Sequence, residues 1–528
     1  MLNKYYKLIL IITLILLSFL LINGVNATDN TNSLKEVSTI SDTNISIYQT
    51  QTENTKTNIS ENKNSLTKSR NTLENNDSTL TTEQNLTLSN SNNNPVDTSR
   101  YMKNTNYNSE NTKLVSNPND IYISPEGLES SEGTIDNPTN WETAINNINN
   151  NGIIHFKTGN YTNIKNQTIN KNLTLSNYNG EVIIDNEKMG YTFYCDNSEN
   201  SLTIIGLTFI NGTGYFDSWR NKGGSICSEG NLTIINSTFK FNTATNGWGG
   251  AVYTAKSINI INSTFTNNNA DNGGGIYSNE ICSINNSTFS DNVNYQGGSL
   301  YSYGDAIITD STFQNCLAGS GGAIFEYSNI QITNSIFINN TAFTDGGALY
   351  VINNAYIKFS TFINNNAQGY GGVLVSPNCN VNCSVFLNNS ASNGSAICYY
   401  GNILPILNYN WWGNNSPFST NNNLIYRFVS SDYGYTINPG NFVILTASNN
   451  LNIINVSLNR LNNDEFLPDG MYIPNRTVIY SSNEVSPNPG DTFTISTYNG
   501  INPQEINVTV DNQSLTLNLP GNNPLDNY

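Results

Sequence analysis

A Gly-Gly dipeptide returns at nearly constant intervals through the middle of this 528-residue sequence. Its copies begin at Gly223, Gly249, Gly273, Gly297, Gly321, Gly346 and Gly371, with a degraded copy at Gly394. A phenylalanine column keeps the same spacing at Phe239, Phe265, Phe289, Phe313, Phe337, Phe362 and Phe386, and Phe209 precedes it by a longer interval of 30 residues. Most steps in both series are 24 or 25 residues, which indicates an internal structural repeat.

The residues before each phenylalanine alternate between apolar and polar. The position five residues before it is filled by Ile204, Ile234, Ile260, Ile284, Ile308, Ile332, Ile357 and Val381. The position seven residues before it is also apolar, and the position between them is mostly polar. This period of two indicates a β-strand with one buried face. Asparagines recur three residues before and three residues after the phenylalanine.

One unit of about 24 residues cannot bury its own apolar face, whereas stacked units form a continuous core. We therefore predict an all-β fold, a right-handed parallel β-helix with about 24–25 residues per coil, in which identical side chains stack. The marked coils and looser ones upstream predict a rod of roughly 40–60 Å. Asparagine tolerates a left-handed bend and can hydrogen-bond along the stack, and Gly-Gly supplies a bend without Cβ atoms.

The first 27 residues have the pattern of a signal peptide. Lys4 and Lys7 precede an almost wholly apolar run, residues 8–22, and small residues allow cleavage after Ala27. The run is short for a membrane span, although a retained N-terminal anchor is the alternative. Residues 28–116 contain no Trp, Phe or Cys, and we interpret them as a disordered spacer rich in Asn, Ser and Thr.

We assign residues 117–438 to the β-helix, with an N-terminal capping helix near residues 139–151. Thr139 and Glu142 have the spacing of a capping box, and Gly152 suits the end of the helix. One face of this helix is apolar and could cover the open end of the coils; it carries Trp141, Ala144, Ile145 and Ile148.

Residues 439–520 lose the repeat and contain several short alternating segments between Asn, Pro and Gly turns. These segments predict a small immunoglobulin-like β-sandwich. It has neither Cys nor Trp, so the Cys–Trp core of antibody domains is absent. We expect residues 521–528 to form a flexible tail.

The pairing of Phe-x-x-Asn with Gly-Gly-Ala-(Ile/Leu/Val) resembles the repeat of chlamydial polymorphic outer-membrane proteins and of adhesin-like surface proteins of methanogenic archaea. Matching segments are FKFN at Phe239, FTNN at Phe265, FSDN at Phe289, FINN at Phe337 and Phe362, and FLNN at Phe386. NYNWWGNNSP at residues 408–417 resembles the terminal coil of the archaeal proteins, and LPDGMYI at residues 467–473 resembles their immunoglobulin-like modules. The resemblance covers about residues 121–519 and implies an archaeal, adhesin-like cell-surface protein. Gly212 and Cys316 depart from the pattern where asparagine is expected.

The net charge of −17 argues against a nucleic-acid partner, because only 22 Lys and Arg could contact phosphates. Only 12% of residues are charged, and Asn, Ser, Thr and Gly supply the remaining polarity. We expect a secreted or cell-surface monomer without a membrane span after signal cleavage. Its partners would be glycans, surface proteins of other cells or the cell wall.

Parallel β-helices also occur in enzymes that cut acidic polysaccharides, so a polysaccharide lyase or hydrolase is the alternative function. A hydrolase needs two carboxylates held together, and a lyase needs a base, often beside Ca²⁺. Acids of the marked coils scatter over different columns, and Glu280 and Asp305 come closest to each other. Three acids converging near Arg220 or Lys222 would favour catalysis. We predict no catalytic, cofactor-binding or metal site.

The histidine and the cysteines are further candidates for chemistry. His155 is the single histidine and alone makes neither a metal site nor a triad, so we predict a structural or solvent-facing role. The seven cysteines are predicted to be mostly free and buried, because most replace core or ladder residues. Cys227 and Cys398 stand in an aromatic column that we assign to the core, whose other members are Tyr253, Tyr277, Tyr301, Phe325 and Tyr350. One pair, Cys379 with Cys398, has a spacing that allows a disulfide; the others are Cys195, Cys227, Cys282, Cys316 and Cys383.

Many Asn-x-Ser/Thr triplets could accept glycans if they are exposed. We expect those at the inner bend to stack on one another rather than carry sugar: Asn236, Asn262 and Asn286. The freer candidates are Asn160, Asn166, Asn455, Asn475 and Asn507.

Overall fold

The computed structural model describes residues 117–418, 423–430, 433–437, 440–492 and 494–521. The proposed signal peptide and spacer, and the tail from residue 522, lie outside these residues. Within them, no helix is long and apolar enough to cross a membrane.

The repeat forms a parallel β-helix of about eleven turns, which confirms the predicted fold. Successive coils pair in parallel and in register, so that Ile260 lies between Ile234 and Ile284, and Ile284 pairs with Ile308. At about 4.8 Å per turn, eleven turns span roughly 50 Å.

Sheet A runs along the β-helix and contains two strands in most coils. Its strands are Asp120–Ile123, Gly152–Tyr161, Leu173–Asp185, Ser201–Ile205, Thr208–Ile210, Asn231–Ile235, Thr238–Lys240, Ile258–Ile261, Thr264–Thr266, Cys282–Asn285, Thr288–Ser290, Ala306–Thr309, Thr312–Gln314, Ile330–Thr333, Ile336–Ile338, Asn354–Lys358, Thr361–Ile363, Asn378–Asn382 and Val385–Leu387. The bend between the two strands of a coil has a left-handed residue, with φ between +47° and +51° at Asn236, Asn262, Asn286, Asp310 and Asn334. Asparagine and aspartate tolerate this conformation better than other side chains do.

Sheet B forms another face of the β-helix, with one strand per coil. Its strands are Gln167–Ile169, Phe193–Cys195, Ile226–Ser228, Val252–Thr254, Ile276–Ser278, Leu300–Ser302, Ile324–Glu326, Leu349–Val351, Leu374–Ser376, Ile397–Tyr399, Ile425–Ser430 and Tyr433–Thr436. The last of these pairs antiparallel to its neighbour. Shorter strands form sheet C: Tyr215–Phe216, Asn221–Lys222, Thr243–Trp248, Asn269–Asn272, Leu317–Ala318, Thr341–Ala342 and Asn366–Ala367.

Two ladders fill the interior. The phenylalanine rings from Phe209 to Phe386 stack with centroids 4.7–5.2 Å apart, and Trp412 continues the stack at 4.6 Å. The asparagines three residues after most of these phenylalanines form an amide ladder, in which each Nδ2 donates to the carbonyl of the phenylalanine one coil back. Both ladders were predicted from the repeat, and the amide ladder supplies hydrogen-bond partners for its own side chains.

The Gly-Gly bend is required by two different constraints. The first glycine of each pair has a left-handed backbone, with φ +62° at Gly321. The second glycine has no room for a side chain, since a Cβ at Gly322 would lie 2.0 Å from the carbonyl oxygen of Gly347 in the next coil. The dipeptide therefore serves the packing of coils, as the sequence indicated.

The one helix that the described residues form before the coils spans Trp141–Asn147, which is shorter than predicted. Trp141, Ala144 and Ile148 are buried and Ile145 packs against the core, so the predicted apolar face is confirmed. The Trp141 ring lies 5.1 Å from that of Phe193. The helix thus covers apolar side chains of the first coils.

Both predicted ends of this helix were wrong. Asn140, not Thr139, is the N-cap, since its side chain accepts a hydrogen bond of 2.9 Å from the Thr143 N–H. The Thr139 hydroxyl donates instead to the Leu128 carbonyl. Gly152 begins a strand, and the C-terminal carbonyls of the helix accept hydrogen bonds from the Lys171 ammonium group.

Beyond the coils, two four-stranded antiparallel sheets form a small β-sandwich. One sheet contains Val443–Asn450, Ile453–Leu461, Ser496–Tyr498 and Val485–Ser486, and the other contains Gly490–Asp491, Thr477–Tyr480, Gln504–Val510 and Gln513–Leu519. Its core includes Trp411 and Val385 of the last coils. The ring of Phe359 lies parallel to that of Tyr472 at 4.2 Å. The sandwich core is thus a cluster separate from the β-helix interior, and it is completed by side chains of the last coils.

Candidate functional site

The outer surface of sheet B carries an aromatic stack. Its rings belong to a cluster separate from the interior core, whereas the sequence pattern placed them among core positions. Consecutive ring centroids are 5.0–5.4 Å apart and nearly parallel, in the order Tyr253, Tyr277, Tyr301, Phe325 and Tyr350. Because each ring lies against the next, the stack is a rigid platform with little exposed ring surface.

A more exposed column lies two residues after this stack in the later coils. We call it the apolar ridge, and it consists of Tyr303, Tyr327, Ile352, Pro377 and Tyr400. Tyr303 is 44% exposed and Tyr327 is 38% exposed, and their rings stack with centroids 4.4 Å apart. The ridge presents one apolar side chain per coil over five coils, a contiguous patch of the kind that marks interaction sites.

A second feature interrupts the repeat. The long interval between Phe209 and Phe239 contains a β-hairpin, residues 215–222, that we call the Trp219 hairpin. Trp219 is 87% exposed and Phe216 is also exposed. Insertions in repeat proteins form loops on one face, which is often the binding face.

Asp217 holds the Trp219 hairpin together. Its Oδ1 accepts hydrogen bonds from the N–H groups of Trp219 (3.1 Å) and Arg220 (3.0 Å), and its Oδ2 lies 2.7 Å from Lys222 Nζ. Partial burial opposes ionisation of Asp217, but these donors outweigh it, so its pKa lies below the ordinary value. Burial also opposes the charge of Lys222, yet the bond to Asp217 leaves the pKa of Lys222 raised.

The hairpin rests on Trp248. The guanidinium carbon of Arg220 lies 5.1 Å from the centre of the Trp248 ring, and Lys222 Nζ lies 4.8 Å from that of Tyr253. Asp271, in the next coil, has an exposed side chain; desolvation nevertheless raises the pKa of its carboxyl, and Arg220 acts in the opposite direction. The hairpin is thus joined to the end of the aromatic stack.

Three acids lie near Arg220 and Lys222, which is the arrangement that the enzyme alternative expects. Glu229 lies 4.0 Å from Lys222, so Asp217, Glu229 and Asp271 all lie near the two bases. A lyase base must release its proton, whereas the pKa of Lys222 is raised. Lys222 therefore holds Asp217 and the hairpin as a charged ammonium group.

Glu280 and Asp305, the acids that the repeat placed closest, serve different partners. Glu280 forms an ion pair with Lys256 at 3.0 Å. Asp305 accepts hydrogen bonds from Ser328 and from the backbone and side chain of Asn329. Within the described ranges no group of three or more His, Cys, Asp or Glu side chains could hold a metal ion.

His155 is buried and lies 3.1 Å from a carboxylate oxygen of Asp120. Its ring stacks on that of Tyr122 at 4.5 Å. These contacts support the structural role predicted for it.

All seven cysteines are free and buried, as predicted, and Cys379 and Cys398 do not form a disulfide. Burial raises the pKa of the Cys379 and Cys398 thiols to about 12. These thiols are therefore protonated and unreactive near neutral pH.

The candidate glycan-acceptor asparagines differ in their surroundings. Asn286 donates a side-chain hydrogen bond to Asn262, as expected for stacking at the bend. Asn160, Asn455 and Asn507 are exposed, whereas Asn475 accepts hydrogen bonds from Thr492. Asn166 accepts one from Tyr191.

The fold and these surfaces define the chain as a parallel β-helix protein with a terminal β-sandwich. No protein-family model and no curated protein sequence matches it. Among solved structures it is similar to the crystal structure of pectate lyase Pel9A, with 17% sequence identity and a TM-score of 0.34 over 50% of this chain and 79% of that chain. A likeness this distant carries no functional argument.

Proposed function

We propose that this chain is an exported, adhesin-like cell-surface protein whose β-helix presents contact surfaces for glycans, other cells or the cell wall. The observation that carries the proposal is the apolar ridge, in which exposed side chains stand in register on a rigid scaffold. Because this scaffold is already ordered before a ligand binds, binding does not have to offset the conformational entropy of ordering it. Tyrosine suits sugars because its ring contacts C–H groups while its hydroxyl forms hydrogen bonds.

The charge around the ridge supports a neutral ligand. Apart from the buried Glu326, residues 281–400 contain four acids and one base: Asp291, Asp305, Asp310 and Asp345, with Lys358. A polyanion would meet repulsion there. The resemblance of the repeat to those of archaeal surface proteins supports the same assignment, including secretion and an archaeal source.

A glycan array combined with a polysaccharide-cleavage assay tests this function. We expect binding to neutral glycans without release of shorter products. Replacing Tyr303 and Tyr327 together by Ala should weaken binding about tenfold, which corresponds to the loss of two aromatic contacts. Tyr356→Ala, at an exposed tyrosine on sheet A, is the matched control and should bind as the parent does. Cleavage of any polysaccharide on the panel would instead establish the lyase or hydrolase alternative.

A further inference from the structure

The Trp219 hairpin has the properties of a preformed ligand site. Its turn is held by three hydrogen bonds or ion pairs to Asp217, and Asn221 Nδ2 donates to the Thr245 carbonyl at 2.7 Å. Trp219 itself projects from this rigid base with 87% of its surface exposed. An indole exposed to this degree keeps a large apolar surface in contact with water, which is unfavourable. Binding to an apolar ligand surface would remove that surface from water and so stabilise the complex.

Position in the repeat gives a second, independent indication. The interval from Phe209 to Phe239 is 30 residues and the next is 26, whereas later steps are 24 or 25. The excess residues of the first interval form the hairpin, and the second interval supplies Trp248 beneath it. Two neighbouring coils thus depart from the common pattern at the same place.

The charges at the hairpin decide the class of ligand. Two cations, Arg220 and Lys222, lie among three carboxyl groups, Asp217, Glu229 and Asp271. The site therefore has no surplus of positive charge to attract an anion. Arg220 is exposed, and like the nearby carboxyl groups it can hydrogen-bond to hydroxyl groups.

We propose that the Trp219 hairpin is a binding site for a neutral sugar residue of a glycan. The C–H face of the sugar lies on the Trp219 indole, and its hydroxyls meet the Arg220 guanidinium and the adjacent carboxyl groups. This inference rests on the proposed glycan-contact function and names a site that is separate from the apolar ridge. It excludes uronic acids and other carboxylate-bearing sugars as preferred ligands.

The test uses the full chain and intrinsic tryptophan fluorescence, with cello-, chito- and manno-oligosaccharides as neutral probes and oligogalacturonate as the acidic probe. The other tryptophans are buried or partly buried, so a ligand-induced blue shift reports mainly on Trp219. We expect at least one neutral probe to bind, Trp219→Ala to weaken it about tenfold, and oligogalacturonate to bind at least about tenfold more weakly. Phe343→Ala, at an exposed aromatic in the corresponding segment of a regular coil, is the matched control and should have no effect.

Failure of this site can be separated from failure of the proposed function. If Trp219→Ala binds as the parent does while the Tyr303 and Tyr327 double variant loses binding, the hairpin proposal is overturned and the adhesin-like function remains. Tighter binding of oligogalacturonate than of every neutral probe would also overturn it. If the parent binds no glycan on the array, the proposed function itself fails.

Discussion

Trp411 Nε1 donates a hydrogen bond of 2.7 Å to Oδ2 of Asp511, which lies 100 residues later in the chain. Asp511 also accepts from Arg476, with Nη2 at 2.7 Å and Nε at 3.1 Å, and both of these charged side chains are nearly buried. One carboxylate thus joins the last coil of the β-helix to a strand and a turn of the sandwich.

Replacing that carboxylate by an amide should destabilise the protein. Asp511→Asn keeps the shape and the left-handed backbone but removes the charge that Arg476 contacts, and we expect a loss of about 2 kcal/mol in unfolding free energy. Urea unfolding followed by tryptophan fluorescence measures it. Asp469→Asn, at an exposed acid of the sandwich, should be neutral; equal stability of the two variants would show that the shared carboxylate does not contribute.

The amide ladder has one broken rung, at Cys316. The backbone N–H of Asn268 donates to the Asn292 amide oxygen, and that of Cys316 to Asn340, but the backbone N–H of Asn292 meets the Cys316 thiol instead of an amide. Cys316→Asn should complete the ladder and stabilise the protein by about 1 kcal/mol. Cys282→Asn is the matched control and should destabilise it, because Cys282 occupies an aliphatic column. Calorimetric midpoints that move in the same direction would contradict this account.

Glu326 should make stability depend on pH. It is fully buried in the β-helix interior, and burial raises the pKa of its carboxyl well above the ordinary value of about 4.5. Between these two pKa values the native state binds one more proton than the unfolded chain, so stability falls as pH rises, by at most about 1.4 kcal/mol per pH unit. Glu326→Gln should remove this decline, whereas the exposed Glu199→Gln should leave the profile unchanged. The unfolding free energy is measured from pH 4 to 8 in steps of about one unit. If Glu326→Gln shows the same slope of unfolding free energy against pH as the parent, Glu326 is not the cause of the pH dependence.

Gly322 should tolerate no side chain. Its Cβ would lie 2.0 Å from a backbone oxygen of the next coil, which cannot move without disturbing the stack. We expect Gly322→Ala to cost about 2–3 kcal/mol in thermal or chemical unfolding. Gly440→Ala, where the added methyl meets nothing within 4 Å, is the control. A tolerated Gly322→Ala would mean that coils can separate locally.

The interior was predictable because each coil repeats the same physical problem. A residue such as Phe289 or Ile284 must match its neighbours above and below, so its column is visible in the sequence as a period. Features without a period were not predictable in this way. The N-cap was assigned to Thr139 when Asn140 fills it, because both residue types suit a cap and one sequence does not separate them.

The candidate surfaces were only partly visible. The long step after Phe209 was visible as a spacing of 30 residues, but nothing in it gave the hairpin or the exposure of Trp219. The tyrosine column was wrongly placed in the core. A ring that is buried by its stacked neighbours on the outer surface and a ring that is buried in the interior give the same apolar column in the sequence. The contact between Trp411 and Asp511 joins distant segments of different folds, and no spacing rule connects them.

The in-register pairing of coils also bears on how such chains change length. Ile284 pairs with Ile260 in the coil before and with Ile308 in the coil after. Each 24-residue coil therefore presents nearly the same packing surface to the next coil as its predecessor does. Deleting or duplicating one coil would bring together coil surfaces that already pack against each other. The helix at the first coils and the sandwich at the last coils would remain in place. Unequal recombination within the gene could therefore change the length of the β-helix in increments of about 4.8 Å without a new folding problem.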